Sequence, residues 1–405
     1  MATEQTDDIR AEVREWLAKN WDPRRPLGEW WSMLADSGWA FPDHPTEWFG
    51  RGLTHDATRI VAEEIDAAGA YGPPRGIATM MVAPLLLELG TEAQKRQWLP
   101  GILDGSTVWC QLFSEPDAGS DLAGLSTTAV ADGDQWIVNG QKVWTSGAHY
   151  AKWAILVART DREAKKHHGL TFFAIDMDQP GVETRPLVQM SGDAEFNEVF
   201  LNDAVVPSAN RIGEINAGWP VTLRTLSYER HSLDPEVDAG IHGRLDLTLP
   251  VHAYASGRID DGLRGFMPKG SEAWAMLRDL LAETGAIDDP VVRQDAMRIY
   301  SWHRIAGFAA LRAAARADAG VEIGAEASLG KLASTRSMRA WRDLALRVLG
   351  PRGTLSGPES ALGGRIHRIS LTVSGLSIAG GTDEIQRNIV GEQALGLPRE
   401  PRPAA

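Results

Sequence analysis

The chain has 405 residues, enough for two or three domains with sizeable cores, and its 43% hydrophobic and 23% charged content suits a soluble globular protein. A formal net charge of -13 excludes the basic face that a nucleic acid requires, and the scattered Arg and Lys residues form no polybasic membrane patch. Cys110 is the only cysteine, so an intrachain disulfide and a thiolate zinc site are excluded, and no metal is expected.

The first residues, MATEQTDDIRAEVREWL, are acidic and amphipathic and lack the cationic start and apolar run of a signal peptide. A cytoplasmic location is the expectation. Residues 6 to 105 place apolar side chains at helical spacing, as in Ile9, Val13, Trp16 and Leu17, then Ile60, Val61, Ile65 and Ala68. The apolar run from Met80 to Leu87 is far too short to span a membrane. Thr91 and Glu92 suit the cap and first turn of a following helix. The chain holds 15 tryptophans, and Trp16, Trp21, Trp30, Trp31, Trp39 and Trp48 read as packing between helices.

From Val108 to Val206 the pattern changes to short strands. Trp109 to Trp153 opens with the polar loop Ser114-Glu115-Pro116-Asp117-Ala118-Gly119-Ser120-Asp121. Asp132-Gly133 and Asn139-Gly140 are dipeptides that suit tight turns, and the second predicts a hairpin between Trp136-Ile137-Val138 and Lys142-Val143-Trp144. The small hydroxyls Thr145 and Ser146 follow. Such a stretch fits an ordinary β-meander, and it equally fits a seat for a flat, polyanionic cofactor. Further strands are expected at Ala154 to Val157, Leu170 to Ile175, Val182 to Leu187 and Asn197 to Leu201, with Asp203 to Pro207 as a separator. After Gly213 the helical pattern returns at Trp219 to Glu229, Ala273 to Glu283, Val291 to Ala319, Ala325 to Leu349 and Thr382 to Leu397, while proline and glycine break residues 232 to 271. The expected fold is multidomain α+β: an N-terminal α-helical domain (1–107), a middle β-barrel or sandwich domain (108–212) and a C-terminal four-helix-bundle-like domain (213–405).

Five motifs in this order carry a family resemblance. They are Trp109-Cys110-Gln111 with Phe113-Ser114-Glu115-Pro116, Ala118-Gly119-Ser120-Asp121-Leu122-Ala123, Asn139-Gly140-Gln141-Lys142-Val143-Trp144, Phe196-Asn197-Glu198-Val199-Phe200 with Val206-Pro207, and Gly380-Gly381-Thr382-Asp383-Glu384-Ile385-Gln386-Arg387-Asn388. Through them the chain resembles the acyl-CoA dehydrogenases from end to end. The resemblance implies FAD and the α,β-dehydrogenation of an acyl-CoA thioester, in which the cofactor carries the redox step and the protein supplies position and a base. It implies that Trp144 flanks the flavin ring, with Thr145 beside it and Ser146 near flavin N5. Ser114 would meet the pyrimidine edge, with Gln111 and Phe113 nearby. Gly119 and Ser120 would lie where the pyrophosphate and the substrate pantetheine approach each other. Thr382 and Glu384 would contact FAD, Arg347 would belong to a loop that touches the FAD of a neighbouring subunit, and Arg230 and Gly381 would face the substrate. A homodimer or homotetramer, or a heteromer with a homologous chain, is implied, with electron-transfer flavoprotein as acceptor.

Many family members carry their catalytic glutamate just before the last helix, where this chain has Gly380. Asp383 and Glu384 fall in a helix first turn, where acidic residues are favoured by the backbone dipole alone. Glu229, in Ser227-Tyr228-Glu229-Arg230, resembles the base position of the isovaleryl- and long-chain-type members. Its bland alternative is a surface glutamate paired with Arg230. The chain departs from the family at Arg347 and Pro351, in the lengthened segment between Arg230 and Arg293, and at Leu112, which is expected to crowd the flavin or the acyl tail. A non-catalytic partner subunit and a flavin-dependent oxidase or hydroxylase are the rival readings.

Overall fold

The computed structural model describes residues 2–232, 245–255, 270–319, 326–357 and 359–399. Its contacts divide into a first unit of Met1–Val188, Ala194–Tyr228 and Gly240–Arg264, and a second of Gln189–Asp193, Glu229–Ala239 and Gly265–Ala405. Architecturally the chain has an N-terminal helical domain, a middle β-sheet domain and a C-terminal helical domain.

The N-terminal helices are α1 (Ala2–Asn20), α2 (Leu27–Asp36), α3 (His55–Ala67), α4 (Ala83–Leu89) and α5 (Glu92–Leu103). Trp30 and Trp31 are buried, and their indole N–H groups donate to the carbonyls of Tyr71 (2.6 Å) and Gly72 (2.8 Å). Trp30 and Trp31 therefore pack between helices with their polar atoms satisfied, whereas the Trp39 indole nitrogen is buried without a hydrogen-bond partner. Helix α5 starts with a capping box in which Thr91 and Gln94 each bond the other's backbone. Helix α2 starts on Pro26, which has no side chain to cap it; the free amides of Leu27 and Gly28 instead donate to Leu249 and Leu247, at 2.9 Å each.

The strands are β1 (Trp109–Leu112), β2 (Thr128–Asp132), β3 (Gln135–Lys142), β4 (Trp153–Arg159), β5 (Leu170–Asp176), β6 (Val182–Pro186), β7 (Asn197–Pro207) and β8 (Arg211–Ile212). They run in the order β6-β7-β3-β2-β4-β5-β8, with β1 parallel to β4. One side of β4 and β5 (Ala154, Leu156, Phe173, Ile175) packs with β3 and β7, the other (Ile155, Val157, Phe172, Ala174) with the N-terminal helices. Burial on both faces explains why these strands read as continuous apolar runs rather than alternating ones.

The structure alters some sequence expectations here. Asp132-Gly133 does turn β2 into β3, with Gly133 at φ 62°. Asn139-Gly140 does not make a hairpin. It lies inside β3 at a register shift against β7, where Asn139 exchanges two hydrogen bonds of 2.9 Å with Asp203. Here the glycine serves close approach, since a Cβ on Gly140 would lie 2.3 Å from Thr127 Oγ1. Strand β7 accordingly runs on through Asp203 to Pro207, with Asp203 at φ 53° as the local kink. Leu112 is fully buried in the core with residues of β3, β4, β5 and β7, so its side chain has no open surface with which to crowd a flavin or an acyl tail.

Helix α6 (Gly218–Ser232) follows the sheet, and residues 245–255, ending in α7 (Val251–Ala255), return to α2. The second unit contains α8 (Gly270–Glu283), α9 (Pro290–Asp318), α10 (Glu326–Leu349), α11 (Arg365–Leu376) and α12 (Asp383–Ile389). Leu277, Leu280, Leu281, Trp341, Leu344, Ile369 and Val373 form its core. Helix α12 is shorter than expected, because Val390–Ala394 forms a wider π turn.

Candidate active site

In the first unit, the loop after β1 and the end of β3 are locked together by a buried ion pair. Positions 136, 138 and 142 share one face of β3, so Lys142 points inward with Trp136 and Val138. Its ammonium is wholly buried and donates to the carbonyls of Phe113 and Val157 (3.0 Å each) and to Glu115 Oε1 (2.9 Å). Glu115 also accepts from Ser126 N, Ser126 Oγ and Thr127 N at 2.6, 2.7 and 2.9 Å. Burial pushes Lys142 down to about 8, with Glu115 opposing the shift. Burial works against charge on Glu115 too, but the Lys142 ammonium and the Ser126 and Thr127 donors outweigh it and hold the carboxyl at about 2.

This lock sets the geometry of the segments expected to hold the cofactor. Ser114 is half-buried, and its carbonyl accepts from Val143 N at 2.9 Å, joining the polar loop to the residue before Trp144. Gly119 and Ser120 are exposed at the far end of that loop. Gln111 is half-buried, whereas the Phe113 ring is buried edge-on against Phe172.

Trp144 stands at φ 60°, a strained conformation for a bulky residue, with its indole 61% exposed and set edge-on to Phe196. Asn197 anchors the residues beyond it. Its backbone carbonyl accepts from Thr145 N (3.1 Å), and its Nδ2 donates to the carbonyls of Thr145 and Glu195 (2.9 Å each). The Thr145 hydroxyl is buried and without a hydrogen-bond partner. An exposed aromatic plate held in a strained turn, an orphaned hydroxyl and an adjoining loop of polar backbone fit a flat heteroaromatic group with a polar edge. The donor set thus fits FAD.

Ser146 and Gly147 border a cavity of about 310 Å³ that lies wholly in the first unit. Trp31, Ile102, Trp109 and Leu247 supply apolar walls, while Thr107 and Tyr150 add polar ones. Leu245 and Leu247, from the segment between Arg230 and Arg293, line this cavity. Helix α6 is held to α4 by Glu88, which accepts from Arg224 Nε (2.7 Å) and from the Tyr228 hydroxyl. Glu229 is the next residue on this helix and is half-buried. The side chain of Arg230 lies outside the described residues.

The remaining predicted residues belong to the second unit. Thr382 Oγ1 accepts from Ile385 N at 3.2 Å and so caps α12. Gly380 and Gly381 have φ 63° and 83°, and a Cβ on Gly381 would lie 2.6 Å from Gln386 Nε2. Asp383 is buried against Lys331 at 2.6 Å, whereas Glu384 is exposed and pairs with Arg387 at 3.2 Å. Arg347 is bonded to Asp295 at 2.5 Å. Among the described residues no cluster of His, Cys, Asp or Glu suits a metal, and no helix is long and apolar enough to cross a membrane.

Models of the acyl-CoA dehydrogenase N-terminal, middle and C-terminal domains match residues 3–106, 110–204 and 269–395. The chain belongs to the acyl-CoA dehydrogenase family. It is an oxidoreductase acting on acyl-CoA, and the family's chemistry is flavin-dependent dehydrogenation. Acyl-CoA dehydrogenase IpdE1 of Mycolicibacterium smegmatis is 36% identical over 98% of this chain and 99% of its own length. Among solved structures, the Tcur3481-Tcur3483 steroid ACAD superposes with a TM-score of 0.73 at 27% identity, covering 98% of each chain. The ChsE4-ChsE5 complex from Mycobacterium tuberculosis gives 0.71 at 29% identity, again covering 98% of each.

Sequence reasoning quoted Glu115, Lys142 and Asn197 as motif residues without giving them work, and it overlooked Tyr150. The inward parity of Lys142 with Trp136 and Val138 was the available signal. No local pattern announces Tyr150, whose place depends on the turn at Gly147.

Proposed function

We propose that the protein is an FAD-dependent dehydrogenase that converts a saturated acyl-CoA to its trans-2-enoyl-CoA, with Glu229 removing the α-proton. Bound FAD would supply the acceptor for the β-hydride. Trp144, Thr145 and Ser146 would hold the ring, Ser114 with the Gln111–Phe113 backbone its polar edge, and Gly119 and Ser120 the phosphate end. By the family resemblance Thr382 and Glu384 would contact FAD, Arg347 would belong to a loop that touches the FAD of a neighbouring subunit, and Arg230 and Gly381 would meet the substrate. The observation that carries the reading is the strained, exposed Trp144 beside the unpartnered Thr145 hydroxyl.

The resemblance of Ser227-Tyr228-Glu229-Arg230 to the base position of the isovaleryl- and long-chain-type members supports Glu229 as the base, and Gly380, at the other base position, has no side chain. The Glu88–Arg224–Tyr228 cluster fixes the helical turn from which Glu229 projects. Glu229 as carboxylate takes the α-proton while the substrate loses its β-hydrogen with two electrons, so the product is the enoyl thioester and the carboxyl is left protonated. Electron-transfer flavoprotein is the proposed final acceptor.

The test is anaerobic bleaching of the flavin by a panel of acyl-CoAs, using wild type and Glu229→Gln. Loss of the base should slow bleaching about 10²- to 10⁴-fold with FAD content unchanged. Bleaching at the wild-type rate removes Glu229 from the mechanism. The Tcur3481-Tcur3483 steroid ACAD and the ChsE4-ChsE5 complex favour a second arrangement, in which this chain works beside a homologous partner. Protein that gains FAD or activity only on co-expression with such a partner would establish it; an active homo-oligomer would exclude it.

A further inference from the structure

The cavity beside Ser146 contains a hydrogen-bond donor that the protein does not use. Tyr150 N and Ala151 N both donate to the Gly147 carbonyl at 3.1 Å, and this tight turn folds the Tyr150 ring back over Gly147. Gly147 is at φ 66°, and a Cβ there would lie 2.7 Å from the Tyr150 hydroxyl, so only glycine admits the phenol at this place. The His149 ring meets the Tyr150 ring edge-on, with centroids 4.7 Å apart, and His149 Nδ1 is in turn 3.2 Å from Asn197 Oδ1. The ring is therefore held on two sides, and Tyr150 is a cavity-lining residue whose hydroxyl has no hydrogen-bond partner among the described residues. Burial, with the Glu195 carboxylate nearby, pushes the phenol up to about 12, so it stays an O–H donor across the physiological range.

A fixed donor at the edge of a cavity favours a ligand that offers an acceptor, because filling the space with hydrocarbon leaves the hydroxyl unpaired. Arg75, Lys152 and Glu195 also line the cavity, so its charged groups carry both signs. We infer that Tyr150 is a specificity-determining residue that donates a hydrogen bond to a ring or chain oxygen, a ketone or hydroxyl, on the acyl group of the substrate. This inference rests on the acyl-CoA reading above. It sets a preference within that class: an oxygenated acyl group over a plain hydrocarbon one.

The experiment uses the FAD-loaded protein and matched cyclic acyl-CoAs that carry a ketone at successive ring positions or a methylene in its place. Affinity is measured by titration calorimetry and flavin reduction by anaerobic stopped flow, for wild type and Tyr150→Phe. Wild type should bind at least one ketone about tenfold more tightly than its methylene partner, and Tyr150→Phe should remove that preference while changing methylene binding less than about twofold. Equal affinity for ketone and methylene at every position, or a ketone preference that survives in Tyr150→Phe, overturns the inference. Failure of every compound to bleach wild-type flavin sinks the dehydrogenase reading instead, and calorimetry still decides the role of Tyr150.

Discussion

Replacing Lys142 with methionine probes the lock between the polar loop and the strand that carries Trp144. The two charges have opposite consequences for stability. Lys142 is pushed from 10.5 to about 8 by burial, so its charge is disfavoured; Glu115 is drawn from 4.5 to about 2 against burial, so its charge is favoured. A pKa difference of one corresponds to about 1.4 kcal/mol, which makes each effect about 3 kcal/mol. They offset, and the intact pair contributes close to nothing net, as buried pairs commonly do. Losing one member is different. In Lys142→Met, Glu115 stays buried without its counter-charge, and the Phe113 and Val157 carbonyls lose their donor, at an expected cost of about 4 kcal/mol. That should lower Tm by about 5 °C. Urea denaturation followed by tryptophan fluorescence measures it, and the double variant with Glu115→Gln should recover at least half of the loss. A single variant within about 1 kcal/mol of wild type, or a double variant that sums the two singles, refutes the reasoning. The pH dependence has a fixed sign. The folded pKa of Glu115 is depressed, so its contribution is present above about 4.5 and is lost as pH falls towards about 2, a decline that Glu115→Gln should lack.

Trp144→Gly should release backbone strain of about 1 kcal/mol, leaving apoprotein Tm unchanged or higher, while FAD binding weakens about tenfold or more. Lower apoprotein stability with unchanged FAD affinity would make Trp144 a packing residue instead. Gly140→Ala places a methyl group 2.3 Å from Thr127 Oγ1 and 2.7 Å from its Cα, so it should destabilise by about 1–3 kcal/mol. An unchanged melting curve would contradict the close approach of the two strands.

Features encoded by neighbouring residues were legible in the sequence. The Thr91 cap, the Asp132-Gly133 turn and the helical stripes each depend on a few residues close in the chain. Asn139-Gly140 misled because the preference that makes a turn also serves a bulge, and the outcome here is set by Thr127, just before β2, and by Asp203 of β7. The motifs found the loop from Ser114 to Ser120 and the Trp144–Ser146 segment, but they gave no account of how Lys142 joins them through the Phe113 and Val157 carbonyls. Tyr150 was hidden for the same reason, since its value as a donor depends on the absence of an acceptor around it. Leu112 was misjudged because its orientation follows from strand parity in β1, which a motif comparison does not track.

The return of residues 245–255 to α2 bears on the order in which the protein is made. Leu247 and Leu249 accept the first amides of a helix translated near the beginning of the chain. A nascent chain that has finished the whole β-sheet still has an uncapped α2 and lacks the Leu245 and Leu247 wall of its cavity. Completion of the first unit therefore waits on translation past α7, and truncation after α6 removes residues that belong to its beginning.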